Sequence, residues 1–240
     1  MDIKEIMRNE RWNQKNAHAY ERYMKVFHNK EKDFWRLTLS QIKPKKVLDV
    51  GAGTGFLSQI ALELGCEVFG LDISPSMLKI ATKKLSNYKS FTPIIGDAES
   101  LPFDDSLFDA VISRFVLWTL PHPERMIKEC VRVVKPGGSL LLADGETPHS
   151  SGIIKAFNKA KSTLIDMLIG WRLPKWKEVY RKFDPYLPKW NKDKLVSELR
   201  KRGIKTIKTV NLLDFQGKLY KVFLASDWYP YCVLGEKSNG

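Results

Sequence analysis

Apolar and polar positions along the chain follow two rhythms. Over the first 43 residues Tyr20, Tyr23, Phe27, Phe34 and Trp35 recur at spacings near three and four, which predicts helix with an aromatic stripe, ended by Pro44. Lys46 to Val50 is a short apolar run bounded by proline and glycine, the pattern of a buried parallel strand. The rhythms then alternate. A helix over Phe56 to Leu64 is closed by Gly65, a strand covers Glu67 to Asp72, and a helix over Ser76 to Leu85 follows the capping pair Ser74-Pro75. Further strands are expected at Thr92 to Ile95 and Phe108 to Ser113, with a helix around Pro123 to Val133. A Lys135-Pro136-Gly137-Gly138 turn then leads into a strand over Ser139 to Ala143. Strands alternating with helices imply a parallel sheet with crossover helices, a doubly wound α/β core.

Beyond Asp144 the regularity weakens. Residues 150–190, rich in Lys, Trp and Pro, are expected to form helices capping the sheet edge. Lys192 to Lys201 reads as an amphipathic helix stopped by Gly203, and Lys205 to Leu213 and Tyr229 to Glu236 read as closing strands. Three parts result: an N-terminal helical lid over 1–43, a core over 44–145, and a basic cap with the last strands over 146–240, completing the same domain.

Composition narrows the class. With 240 residues, 43% hydrophobic and 28% charged, the chain has the material for one sizeable core, and disorder is excluded as its main state. The most apolar run, Leu107 to Leu120, is broken by Asp109 and Arg114 and is too short for a membrane span of about 20 residues. Cys66, Cys130 and Cys232 are widely spaced and write neither a disulfide framework nor a metal site. With no apolar leader after Met1, a cytoplasmic setting is expected. The net charge of +13 comes from the flanks: residues 1–46 carry 12 basic and 6 acidic groups and residues 146–240 carry 19 and 9, whereas residues 47–145 carry 9 and 12.

The acidic middle holds the chemistry. Val47-Leu48-Asp49-Val50-Gly51-Ala52-Gly53-Thr54-Gly55-Phe56 is a strand running through a glycine-rich turn into a helix, where missing Cβ atoms permit positive φ and close approach of a ligand. Phe56 stands where a dinucleotide fingerprint needs its third glycine. No lysine lies between 47 and 78, which excludes a Walker loop. Asp49, just before the loop, would repel a pyrophosphate but suits an ammonium group. Asp72 ends the second strand, where a carboxylate accepts ribose hydroxyls. Asp97 ends the third, beside the small Ala98. Three acidic strand ends without a phosphate-binding lysine specify an adenosine that carries positive charge.

These segments, with Leu71-Asp72-Ile73-Ser74, Gly96-Asp97-Ala98-Glu99-Ser100-Leu101-Pro102-Phe103, Phe108-Asp109 and Val133-Val134-Lys135-Pro136-Gly137-Gly138, resemble the class I S-adenosylmethionine-dependent methyltransferases, specifically the small-molecule group with methyltransferase domain 11. The resemblance covers about Lys45 to Gly145. It implies a Rossmann-like, mostly parallel seven-stranded sheet with one antiparallel strand, and S-adenosyl-L-methionine as cofactor. It assigns Asp49, Gly51, Ala52, Gly53 and Gly55 to the methionine moiety, Asp72 to the ribose, Ile73 to an adenine face and Asp97 with Ala98 to the adenine edge. Arg114 follows the fourth strand, where such proteins contact the cofactor; a surface ion pair is its other reading.

The implied chemistry is in-line methyl transfer, for which orientation supplies much of the rate and a base is needed only if the acceptor must lose a proton. No catalytic residue is written. His122 and His149, in loops on the ligand side of the sheet, are the base candidates, and a polar surface role is the alternative for each. Trp12, Tyr20 and Tyr23 on the lid, and Trp118 after the fourth strand, are candidates to cover the cofactor or line the acceptor pocket; plain packing is the alternative. Trp171, Trp176 and Trp190 in the cap share that ambiguity. A small-molecule acceptor leads, anionic if the basic flanks attract it. Ser113-Arg114-Phe115-Val116 lacks the Asn/Asp-Pro-Pro-Tyr/Phe sequence of enzymes acting on base amines, so tRNA or rRNA ranks behind, with a protein acceptor and a non-catalytic cofactor-binding protein. Oligomeric state is left open.

Overall fold

The computed structural model describes residues 3–27, 29–146, 187–215 and 229–238. Helix α1 (Ile3–Ile6) runs into a π-helical turn (Met7–Arg11), and after a break at Trp12 and Asn13 come α2 (Gln14–Phe27) and α3 (Asn29–Ile42). The expected N-terminal helix is thus broken into pieces. The core alternates β1 (Lys46–Val50), α4 (Phe56–Glu63), β2 (Glu67–Asp72), α5 (Pro75–Lys84), β3 (Phe91–Ile95), β4 (Phe108–Arg114), α6 (Pro123–Val133) and β5 (Val134–Glu146). Helix α7 (Lys192–Lys201), β6 (Ile204–Asn211), a 3₁₀ turn (Leu212–Phe215) and β7 (Tyr229–Lys237) complete it. Helices expected within 150–190 fall largely outside the described residues, as do His149, Trp171 and Trp176.

One seven-stranded sheet in the order β3-β2-β1-β4-β5-β7-β6 forms the centre. The first five strands pair in parallel, and β7 is antiparallel to both β5 and β6. The doubly wound expectation holds, with the two closing strands on the β5 edge. Two details differ. Lys135-Pro136-Gly137-Gly138 was expected as a turn before β5, but Val134 already pairs with Phe108 and the run bulges out before Ser139 pairs with Ala110. Gly137, at φ +73°, makes that excursion without steric cost. The sixth strand ends at Asn211 rather than Leu213, because Leu212 turns inward into the 3₁₀ segment and is fully buried.

Alternating residues of each strand feed two cores. On one face Leu48, Val50, Val111, Leu140 and Leu142 pack with Met126, Ile127 and Cys130 of α6 and Leu195 and Leu199 of α7. On the other, Val47, Val68, Ala110, Ile112 and Leu141 pack with Trp35 and Leu39 of α3 and Leu57, Ile60 and Ala61 of α4. This period-two division of nearly continuous apolar strands is what burial on both faces requires. Cys66, Cys130 and Cys232 are buried free thiols, and burial pushes the Cys130 thiol up to about 12. Among the described residues no helix is long and apolar enough to cross a membrane.

Candidate functional site

The site lies at the C-terminal ends of the parallel strands, where β1 turns into α4. Gly51, Gly53 and Gly55 have φ of +71°, +56° and +76°, a backbone that residues with a Cβ adopt only under strain. Gly51 and Ala52 donate their N–H groups to Leu71 O at 2.7 and 2.9 Å, fastening the loop to β2. The three glycines do different things. A Cβ on Gly51 would stand 2.2 Å from Val116 Cγ2 and one on Gly55 2.9 Å from Leu85 Cδ1, so both admit protein neighbours. At Gly53 the nearest atom would be Met77 Cε at 3.3 Å. Of the three, only Gly53 would press on nothing tighter than the mobile end of a long side chain, so the close approach expected for a ligand is left to Gly53.

Asp72 is the hub. Its Oδ2 accepts the Gly53 N–H at 2.8 Å and its Oδ1 accepts the Ser74 N–H at 2.8 Å, so one carboxylate joins the loop to the start of α5. Burial pushes it up to about 6 against the hydrogen bonds that hold it down. Asp49, 1% exposed, accepts both the N–H and the hydroxyl of Ser58 at Oδ2, at 3.0 and 2.6 Å, anchoring the first turn of α4; burial raises it to about 7. These are costly carboxylates in the free protein, and a cation laid between them would favour their ionised forms.

The N-terminal segment closes over the ends of β2 and β3. Lys4 Nζ lies 2.6 Å from both Asp97 Oδ2 and Glu99 Oε2, Arg8 Nε donates to Ile73 O at 3.1 Å, and Ser74 Oγ donates to Trp12 O at 2.7 Å. Asp97 Oδ1 accepts the Glu99 N–H, and Ala98 is buried beside it. Trp12 meets Tyr20 edge to face at 5.6 Å, and the buried Arg11 guanidinium stacks over Trp12 and Trp118 at 4.9 and 4.5 Å. Tyr23 lies on α2, and nothing of its side chain is described. Arg114 is buried, and its other reading as a surface ion pair does not hold. Its Nε and Nη2 bind Glu31 Oε1 and Oε2 at 2.6 and 2.8 Å, its guanidinium stacks over Phe115 at 4.1 Å, and Glu31 also accepts Trp35 Nε1–H. It joins β4 to α3. His122 precedes the first turn of α6 with its imidazole half exposed, 3.7 Å from Glu124, while its backbone N–H donates to Glu99 Oε1 at 2.8 Å.

Sequence reasoning missed several of these groups. Lys4, Glu31 and Glu99 gave no signal, because their partners lie 93, 83 and 95 residues away along the chain. Asp144 did give one: like Asp72 and Asp97 it is a carboxylate where an apolar strand nears its C-terminal end.

The described residues fit the implied cofactor. Thr54, in the loop and 1% exposed, has a hydroxyl without a hydrogen-bond partner among the described residues, Gly53 faces only the end of Met77, and carboxylates stand at the strand ends. Residues 48–142 match the family model described as a methyltransferase domain. This stretch is a methyltransferase domain. The methyltransferase domain is 40% identical over 104 residues to the demethylmenaquinone methyltransferase of Renibacterium salmoninarum, covering 43% of each chain. It is also 37% identical over 141 residues to that of Bacillus licheniformis, covering 55% of this chain and 60% of the relative. The chain spans about half the length of the curated relatives it matches. In fold it resembles the Haemonchus contortus phosphoethanolamine N-methyltransferase 2, with a TM-score of 0.71 at 17% identity over 99% of this chain and 60% of that one.

Proposed function

We propose that the chain is a methyltransferase that moves the methyl of S-adenosylmethionine to a small-molecule acceptor. The observation that carries this reading is the Asp72 carboxylate holding the Gly53 N–H at 2.8 Å at the end of β2, which puts bare backbone and a hydroxyl-accepting group in one place. Bound there, the cofactor supplies an electrophilic sulfonium methyl. The residues do the rest: Asp72 accepts the ribose hydroxyls, Ile73 and Ala98 flank the adenine with Asp97 at its edge, and the loop Gly51 to Gly55 with Asp49 beneath it holds the amino-acid end. The N-terminal segment, through Lys4, Arg8 and Trp12, acts as the lid, with Tyr20 packed behind it; Arg114 holds α3 in place rather than touching the cofactor.

Relatives that act on demethylmenaquinone make a quinol ring the first acceptor to assay. The described part of the basic surface does not favour nucleic acid at the methyl site. Lys43, Lys45, Lys46 and Lys135 line a cleft with Asp109 at the opposite end of the strands from Gly51, and Asp109 already binds Lys135 Nζ at 2.6 Å. The test is production of S-adenosylhomocysteine from S-adenosylmethionine across phenol, quinol and amine panels, with calorimetric binding of S-adenosylhomocysteine to wild type and Asp72→Ala. Wild-type affinity in Asp72→Ala would refute the cofactor assignment.

A further inference from the structure

Where β5 and β7 end on the ligand side of the sheet, Asp144 and Tyr231 are direct cross-strand partners. Opposed residues leave a sheet on the same face with Cβ atoms about 5 Å apart. Asp144 is 1% exposed; its Oδ2 accepts the backbone N–H of Trp118 at 3.0 Å and its Oδ1 the Gly145 N–H at 2.8 Å. Tyr231 is 5% exposed, and its hydroxyl has no hydrogen-bond partner among the described residues; neither has Nε1 of Trp190, which packs against the same apolar cluster. A buried polar group left in this state is costly, and two of them at one corner call for an explanation.

The corner also lies where an acceptor would have to stand. Strands β1, β4 and β5 are consecutive in the sheet, and at roughly 4.8 Å per strand the end of β5 is about 10 Å across from the glycine loop. The segment after β4 touches both: Val116 occupies the space over Gly51, and Trp118 N–H binds Asp144. Tyr231, Leu195 and Leu199 belong to one apolar cluster, with Trp190 and Leu120 packed against it. Among the described residues the charged groups that act on Tyr231 are Asp144, Glu146 on β5 and Asp193 on α7, all acidic, while Arg11 stacks over Trp118.

We propose that Asp144, Tyr231 and Trp190 form the acceptor recess, that it takes a neutral, largely apolar molecule bearing a hydroxyl, and that Asp144 accepts the hydroxyl proton while Tyr231 positions the oxygen. This rests on the methyl-transfer reading above. The acidic surround disfavours an anionic acceptor, and an ammonium group has no use for the Trp190 N–H, which only donates. The step balances without an oxidant. The proton passes to Asp144, and the electron pair left on the acceptor forms the bond to the methyl carbon, from the oxygen or from a ring carbon conjugated to it, in which case that carbon then loses its own hydrogen as a proton while the oxygen regains one and the ring is restored. The carbon–sulfur pair leaves with the sulfur, and one proton reaches solvent per turnover. Burial holds Asp144 at about 7, where a carboxylate exchanges protons near neutrality.

The experiment uses 1,4-naphthalenediol as probe, kept reduced, with wild type, Tyr231→Phe and Asp144→Asn. Diol binding is followed by tryptophan fluorescence with S-adenosylhomocysteine present, and turnover with S-adenosylmethionine saturating at every pH is followed from pH 5.5 to 9. Expected are diol binding weakened about tenfold in Tyr231→Phe, near-wild-type diol binding in Asp144→Asn with turnover down about 100-fold or more and the acid limb of the pH profile gone, and unchanged S-adenosylhomocysteine affinity in both. Wild-type diol binding in Tyr231→Phe together with an unaltered pH profile in Asp144→Asn overturns the proposal, as does preferential methylation of amines. If wild type binds the diol through Tyr231 but transfers no methyl to any acceptor, the recess is supported and the transferase reading is what fails.

Discussion

Replacing Gly51 with alanine adds one methyl group, and two separate costs follow from where it lands. At φ +71° a Cβ collides with its own backbone, a cost of roughly 1–2 kcal/mol. The new carbon would also lie 2.2 Å from Val116 Cγ2, far inside the ordinary contact distance of about 3.5–4.0 Å, and the overpacking adds about 1–3 kcal/mol. Urea unfolding of Gly51→Ala should therefore report a loss of about 2–5 kcal/mol. The two costs separate in a double-mutant cycle: Val116→Ala removes the obstructing Cγ2, so in its background Gly51→Ala should retain only the backbone cost, a coupling of about 1–3 kcal/mol. Gly53→Ala, with φ +56° and Met77 Cε no nearer than 3.3 Å, is the control and should show the backbone cost alone. If Gly51→Ala is as stable as wild type, or if Val116→Ala returns none of the loss, then the loop is not held by the packing of Val116 on bare backbone.

Glu31→Gln leaves the Arg114 guanidinium buried without its countercharge, and stability should fall by about 3–5 kcal/mol in denaturant titration; a neutral result would show the pair to be dispensable. Lys4→Ala removes the ion pairs to part-exposed Asp97 and to Glu99, whose side chain is 1% exposed, so stability should fall by about 1–3 kcal/mol as Glu99 is left buried without its partner, while limited proteolysis within residues 3–13 should accelerate; an unchanged cleavage rate would argue against Lys4 as the latch. Asp49, Asp72 and Asp144 are raised to about 7, 6 and 7, so between about pH 4 and 7 the folded chain binds more protons than the unfolded one, and these groups make stability fall as pH rises through that window. Urea midpoints at pH 5 and 7 should show a smaller fall for Asp144→Asn, and an identical pH dependence would contradict a raised Asp144. Affinity for the cationic S-adenosylmethionine should strengthen between pH 5.5 and 7.5 as Asp49 and Asp72 ionise, which calorimetry at the two values measures.

Much of the core was legible because its signals are local. A parallel strand buried on both faces must be a short apolar run, so Val47 to Val50 and Ser139 to Ala143 announce themselves. Ser74-Pro75 marks the start of α5 because capping is settled within one turn: Ser74 Oγ accepts the Met77 N–H. The bulge at Lys135 to Gly138 escaped for the opposite reason. The same residues make a turn or an excursion within a strand, and only the pairing of Val134 with Phe108 decides which.

By itself, then, the sequence determined the alternation of strands and helices, the glycine loop and the carboxylates at the strand ends, all of which depend on residues near one another in the chain. The tertiary structure decided what those groups face. It turned Arg114 toward Glu31, laid Lys4 on Asp97, filled the space over Gly51 with Val116, and set Tyr231 beside Asp144 although 87 residues separate them. Such pairings depend on which strands become neighbours, and strand order is a property of the closed sheet, in which β7 slots between β5 and β6, rather than of any stretch of chain.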